Sequence, residues 1–502
     1  MTLPELAALS PILVVSGTAV VVMMAIAIKR HHTFIASVSM LGFALALAST
    51  AAVWQVGAMS RPVTTLLIID PFACFYMAMI LIAALAVTAL SHTYLRSHED
   101  NPEELYLLLL LSTLGGMVMV ASRHFTSFFV GLELLSMPMY GMAAYLVKER
   151  RSLEAGMKYL VLSAVASAFI VFGMALIYSE IGTMVFSDIG AKLAEVTADD
   201  SIVMLGAALL LVGLGFKLSL APFHFWTPDV YEGAPAPVTS FLATASKVPV
   251  FALLLRYVIE THATGYPTLV DTLSLLAILS IVVGNILALL QPNLKRLLAY
   301  SAIAHFGYML VALIASGPLA SEAVGVYLLT YSITTLAAFG VITLVSSPLN
   351  HEAQALSDYR GLFWQRPGLA VVLTVALLSL AGVPLTAGFL GKFYVLGAGV
   401  DQRQWLLLGT IIAGSAVGLY FYLRAMIQLY LRPEPALETT AVTPPCTSPS
   451  LSWVRGAGGS MLIVLLLLML ALGVYPAPFI KLAQGSGIEP HPPTPALTAD
   501  RH

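Results

Sequence analysis

Charge is scarce in this sequence. Only 10% of its 502 residues are Asp, Glu, Lys or Arg, against roughly 25% in an average soluble domain, while 59% are hydrophobic. Cysteine is equally scarce: Cys74 lies in an apolar stretch and Cys446 in a proline-rich one, with no C-x-x-C spacing and no histidine cluster beside either. An iron–sulfur centre or structural zinc within this chain is therefore not expected. No G-x-G-x-x-G or G-x-x-x-x-G-K-[ST] loop follows a strand, so nucleotide binding has no support. A net charge of −2 offers neither a basic surface for nucleic acid nor an acidic tail. If redox chemistry or ATP drives this protein, another subunit handles it.

What the chain does have is apolar runs close to twenty residues long, separated by short polar turns. That is the length a helix needs to cross about 30 Å of hydrocarbon, and the pattern excludes a transmembrane barrel. Fourteen spans are expected, at about 11–28, 33–55, 71–95, 105–121, 124–147, 153–179, 202–221, 237–259, 268–290, 296–316, 319–345, 368–398, 404–430 and 459–481. The first is followed by Lys29-Arg30-His31-His32 with no small-residue cleavage signature, and reads as a retained helix rather than a signal peptide.

Alternating the sides of these spans distributes the 24 Lys and Arg residues unevenly. Twelve fall on one side, among them Lys29, Arg30, Lys148, Lys295, Arg296 and Arg366, six fall on the other, and six lie within spans. The positive-inside rule then places both termini on the outer side. The outer loop Glu180–Asp200 is expected to hold a short surface helix at Ile189–Val196, and Pro433–Ser452, with five prolines, reads as an inner-side linker.

Two spans cannot be regular helices. The seventh runs into Ser219-Leu220-Ala221-Pro222-Phe223-His224, and the twelfth contains Ser379-Leu380-Ala381-Gly382-Val383-Pro384. Proline removes a backbone donor, and non-helical backbone survives in a bilayer only where protein shields it or it lines a wet cavity. The breaks share Ser-Leu-Ala and lie 160 residues apart, while Gly156 to Gly173 resembles Gly325 to Gly340 and Ser136 to Gly141 resembles Ser301 to Gly307. An offset of five spans, an odd number, makes the second copy cross in the opposite sense, as in secondary ion transporters. The fold class expected is an all-α integral membrane protein of about fourteen transmembrane helices, with two inverted five-helix repeats that each contain a broken helix. The segments are 1–100 (three helices), 101–265 (first repeat), 266–432 (second repeat), 433–458 (linker) and 459–502 (last helix and tail).

Five ionisable residues stand inside these apolar spans: Glu133, Lys158, Lys217, Lys247 and Lys392. At about 2.5–3.5 kcal/mol or more for each, they represent an insertion cost of order 10 kcal/mol. Residues at i, i+3 or i+4 and i+7 share a helix face, which aligns Glu133 with Ser136 and Tyr140, Ser240 with Thr244 and Lys247, and Ser301 with His305 and Tyr308. Hydroxyls alone would be ordinary helix-packing contacts. The ionisable members suggest proton transfer instead, because burial disfavours an ammonium and a nearby carboxylate restores it, so a lysine can gain and lose a proton when its partner moves. Glu133 is the natural partner of Lys217 or Lys158. A static ion pair that only orients helices is the bland alternative, but four lysines facing one glutamate leave cations that no static pairing satisfies. His224, inside the first break, and His305 are possible relays or simply satisfied core histidines. For Asp229 and Glu232, near the inner surface, a structural loop role is expected. Arg256 and Arg424, near helix ends, are expected to snorkel.

At these residues the chain resembles the antiporter-like membrane subunits of respiratory complex I, the proton-pumping NADH:quinone oxidoreductase. The segments that carry the likeness are Gly131-Leu132-Glu133-Leu134, Lys217-Leu218-Ser219 with Ala221-Pro222-Phe223-His224, Trp226-Thr227-Pro228-Asp229-Val230-Tyr231-Glu232-Gly233, Asn293-Leu294-Lys295-Arg296, and Gly388-Phe389-Leu390-Gly391-Lys392. Among the family's sister subunits, one carries a long lateral helix after its last span, and another usually has a glutamate where Lys392 stands. Neither feature is expected in this chain.

The resemblance implies roles for matching residues: Glu133 sets the charge state of its lysine, Lys217 is the central proton carrier, Lys247 connects to it, and Lys392 is the exit or linking lysine of the second half. Lys158 resembles a lysine of the sixth helix. It also implies that NADH, FMN, iron–sulfur clusters and quinone are bound by partner subunits, with no cofactor in this chain, and that the protein resides in a bacterial inner membrane beside other membrane and peripheral subunits. The rival reading is a subunit of a multisubunit cation/proton antiporter, and a third is an inert membrane scaffold.

Overall fold

A computed structural model describes residues 3–55, 61–98, 101–193, 201–315, 318–347, 352–432 and 456–487. In a bilayer the backbone must satisfy its own polar groups, which an apolar chain does by forming helices. The first are α1 (Leu3–Ala8), α2 (Ser10–Ile28), α3 (His32–Gln55), α4 (Pro71–His98), α5 (Glu103–Val120), α6 (Phe125–Ala143) and α7 (Arg150–Ile181). There follow α8 (Phe186–Leu193), α9 (Ser201–Leu218), α10 (Trp226–Gly233), α11 (Ala236–Ala243), α12 (Lys247–Glu260), α13 (Pro267–Leu289) and α14 (Leu294–Ala315). The last are α15 (Pro318–Ser346), α16 (Leu362–Gln365), α17 (Pro367–Ala381), α18 (Ala387–Asp401), α19 (Trp405–Tyr430), α20 (Ala457–Val474) and α21 (Ala477–Gln484). A two-stranded antiparallel ribbon, β1 (Arg61–Pro62) and β2 (Ile68–Ile69), joins α3 to α4.

Twelve of the fourteen expected spans are long and apolar enough to cross a membrane, with α11 and α12 counted as one. The other two are α6, whose polar stripe lowers its hydropathy, and the interrupted pair α17–α18. Local chemistry sets the ends. Asp70 accepts from the amide of Ala73 at 2.7 Å and starts α4, and His124 accepts from the amide of Thr126 at 3.0 Å and starts α6. Gly182 and Gly382, at φ 72° and 81°, end α7 and α17 in the left-handed conformation that glycine adopts without strain.

The centre of the molecule is α14 and α15. Almost every side chain of α14 is buried, and α15 packs against α4, α11, α14, α17, α18 and α20, so both are enclosed by other helices. Helices α2, α7, α19 and α20 lie outside them. Neighbour relations recur along the chain: α5 lies along α6 and α13 along α14, while α7 packs on α9 and α15 on α17 and α18. Close approach at two of these contacts requires glycine. A Cβ on Gly115 of α5 would stand 2.2 Å from the amide nitrogen of Leu135, and one on Gly284 of α13 would stand 2.7 Å from that of Ala304.

Some expectations change. The eighth span is interrupted as well: α11 stops at Ala243 and α12 begins at Lys247, so Ser240, Thr244 and Lys247 do not form one continuous stripe. The hydroxyls of Thr244 and Ser246 bond back to the carbonyls of Ser240 and Leu242, each at 2.7 Å, a local competition that bends helices. The outer-loop helix is α8, beginning at Phe186 rather than Ile189; residues 194–196 lie outside the described set. Outside it too are the linker 433–452 with Cys446 and the tail from 488.

Candidate functional site

The two breaks give the site its form. In α9 the helix ends at Leu218, and Ser219 takes φ 64°. The last carbonyls of a helix have no partner within it and carry the negative end of its dipole. Lys247, at the first turn of α12, fills that position: its ammonium donates to the Lys217 carbonyl at 2.8 Å and to the Ser219 hydroxyl. It also lies 4.7 Å from the centre of the Trp226 ring, a favourable cation–aromatic contact. In the second break α17 ends at Ala381, and Lys392 of α18 donates to the Ala381 carbonyl at 2.8 Å. Each interrupted helix thus presents its carbonyl end to a buried lysine.

Lys217 itself points the other way. Its ammonium donates to Ser136 of α6 at 2.8 Å and to Ser163 of α7 at 2.7 Å, and Tyr140 donates to the same Ser163 at 2.8 Å. The stripe Glu133, Ser136, Tyr140 therefore faces α7 and α9 as its spacing requires. The Glu133 carboxylate accepts from Ser167 at 2.6 Å, and the direct ion pair anticipated with Lys217 or Lys158 is not formed. Distance along α7 explains half of this. Ser167 and Lys158 are nine residues apart, about 14 Å at 1.5 Å per residue, so Glu133 cannot serve both.

Lys158 sits instead in a partly exposed cavity with Glu154 and Asp229, each 2.7 Å from its ammonium, its side chain 40% exposed. Arg296 bridges Asp229 and Glu232 at 2.8 Å each, and Arg151 lies 3.6 Å from Glu232. The two acids assigned to a loop are on α10 and hold ion pairs to α7 and α14.

In the second half, the Ser301–His305–Tyr308 stripe of α14 meets residues that spacing did not single out. His305 bonds the hydroxyls of Tyr327 at 2.7 Å and Tyr422 at 3.2 Å, Tyr422 also bonds Ser301, and Tyr308 accepts from Asn285 at 3.0 Å. Lys392 lies 5.5 Å from the centre of the Tyr308 ring. His224 lies in the first break, buried against Phe225 and Tyr300, and its Nδ1 has no partner among the described residues.

Arg256 does not snorkel. Arg256 is fully buried and bonds both oxygens of Asp70, at 2.8 and 2.9 Å, with Glu260 at 3.5 Å and the Phe72 ring beneath it. Arg424 donates to the carbonyls of Leu289 and Gln291, at 2.7 and 2.8 Å, and caps the end of α13. Lys295, counted above as a loop residue, is likewise buried and paired with Glu352. A usable signal was present: Lys295 and Arg296 stand in the first turn of a helix, where a cation opposes the dipole and calls for an anion.

A bundle of apolar helices in which two broken spans each end on a buried lysine is the antiporter-like class of membrane protein. The profile of the NADH:quinone oxidoreductase/Mrp antiporter transmembrane family matches residues 122–418. The chain belongs to that family. It is 54% identical over 493 residues to NADH-quinone oxidoreductase subunit N of Ectopseudomonas mendocina, covering 97% of each chain. It is 50% identical over 479 residues to the protein of the same name in Acinetobacter baumannii, covering 95% of this chain and 94% of the other. Among solved structures, a chain of respiratory complex I from Thermus thermophilus with bound aureothin is 34% identical with TM-score 0.79, over 95% of this chain and all of that one. A chain of the Mrp complex from Dietzia sp. shares the fold at TM-score 0.81 and 20% identity, over 97% of each.

Proposed function

We propose that this chain is the proton-translocating subunit N of a bacterial NADH:quinone oxidoreductase. It moves protons while NADH-to-quinone electron transfer takes place in partner subunits that hold FMN, the iron–sulfur clusters and the quinone. The observation that carries proton movement is the alignment of two neighbouring groups: Glu133 bonded to Ser167, and, one turn away on the same two helices, Ser136 and Ser163 bonded to Lys217, whose carbonyl takes Lys247. Lysines held by hydroxyls and helix-end carbonyls keep a charged form without a fixed carboxylate, so their charge responds to the groups around them. Lys392, His305, Tyr327 and Tyr422 make the corresponding group in the second half, and His224 is placed to relay beside the first break.

Moving one charge against 100 mV costs about 2.3 kcal/mol, which the redox subunits supply. Relatives at 50% identity or more that bear the name subunit N support this assignment over that of an antiporter subunit. The recurring neighbour relations and the paired glycine contacts support two inverted halves, 101–265 and 266–432. The bacterial relatives support an inner-membrane location, and the excess of basic residues on one side supports both termini outside. Inverted membrane vesicles test the proposal: Lys217→Ala or Glu133→Ala lowers NADH-driven proton uptake in complexes that assemble. Co-purification with flavin and iron–sulfur subunits separates it from the antiporter reading.

A further inference from the structure

Helix α10 touches the first lysine pair at one end and the second half at the other. At its N-terminal end, Thr227 donates to Ser219 at 2.6 Å, the same hydroxyl that receives Lys247, and Trp226 donates to the Phe216 carbonyl at 2.9 Å under the Lys247 ammonium. Asp229 in its first turn and Glu232 in its last both hold Arg296, and the carbonyl of Ala234, just past its end, accepts from Lys295 at 2.6 Å. Glu352 completes the fastening by taking Lys295, the Tyr94 hydroxyl at 2.6 Å and the Ala236 amide at 2.7 Å. Eight residues of helix span about 12 Å. Lys295 and Arg296 open α14, the helix that carries Ser301 and His305.

Two cations in the first turn of a helix oppose its dipole, and a fully buried ammonium is costly unless well paired. Holding α14 to α10 through them is a poor way to gain stability and a direct way to tie one half to the other. We infer that α10, with Lys295 and Arg296 as positioning residues, is a joint that passes displacement at the Lys217–Lys247 pair to the His305 track. Because α10 is short and held at both ends, a shift of Ser219 or Trp226 when Lys247 changes its contacts moves Asp229, Glu232 and Ala234 with it. The N-terminus of α14 follows. This rests on the proton-carrier reading of Lys217 and Lys247.

The test uses the assembled complex in inverted vesicles and reads protons moved per NADH oxidised, a ratio that a reduced amount of assembled enzyme leaves unchanged. Arg296→Gln lowers the ratio about twofold or more, as loss of one coupling contact does, and Arg296→Lys restores part of it. The pair Lys295→Met with Glu352→Leu removes both charges while keeping the volume filled, and decides the matter where Arg296→Gln fails to assemble. A normal ratio in the assembled variants overturns the joint. Lys217→Ala is measured in parallel. If it lowers the ratio while the joint variants do not, the joint alone falls; if it leaves the ratio unchanged, the carrier reading falls.

Discussion

The ammonium of Lys247 donates to the backbone carbonyl of Lys217 across 2.8 Å, so the two lysines are linked through the end of a helix and not through their side chains. Lys392 repeats the arrangement on the Ala381 carbonyl. A helix break leaves carbonyls that no amide can take, and an ammonium next to them is favoured by the dipole. The interruption of the span and the buried cation explain each other: either alone is costly in a membrane, and together they satisfy each other's polar groups.

Arg256 and Asp70 hold the start of α4 to α12 and, through the Val120 carbonyl, to the end of α5. Removing one member of a buried pair strands the other at a cost of about 3–5 kcal/mol. Asp70→Ala is expected to lower the thermal stability of the detergent-solubilised complex strongly, and the double change Asp70→Leu with Arg256→Met much less. Equal losses in the two variants would contradict the pairing argument.

Gly388, in the first turn of α18, has no room for a side chain. A Cβ there would stand 1.8 Å from the carbonyl oxygen of Ser379, whose hydroxyl accepts from the Gly388 amide at 2.9 Å. Gly388→Ala therefore forces the two half-helices apart, an overpacking cost of about 1–3 kcal/mol or more. Lower assembly, or pumping lost at normal assembly, is the outcome sought. A variant equal to wild type in both would show that the break opens freely.

Lys158 is distinguished from the other lysines by its exposed side chain and its two carboxylate partners. Exposed pairs contribute about 0–1 kcal/mol. Lys158→Ala is accordingly expected to reduce proton movement less than Lys217→Ala, as proton uptake per NADH in matched vesicles will show. An equal or larger loss would place Lys158 on the main path.

Spacing made the helices, both main breaks and the Glu133–Ser136–Tyr140 stripe legible, because composition sets the spans and a 3.6-residue period sets their faces. The partners were hidden. Ser163 and Ser167 sit on a helix dense in small residues, where a hydroxyl that bonds a lysine has no local mark. Tyr327 and Tyr422 come from helices α15 and α19, brought to His305 only by tertiary packing. Glu133 was matched to a lysine because opposite charges attract, yet packing gave it a serine. Arg256 looked like a helix-end residue because Asp70, its anion, is 186 positions away in sequence. The bend at Thr244–Ser246 had no proline at the bend itself to announce it.

The most direct measurement is the number of protons taken up per NADH oxidised by inverted vesicles carrying the Lys217→Ala complex, with assembly confirmed in the same preparation. The carrier assignment predicts a clear fall in that ratio relative to wild type. A wild-type ratio in fully assembled enzyme would contradict it.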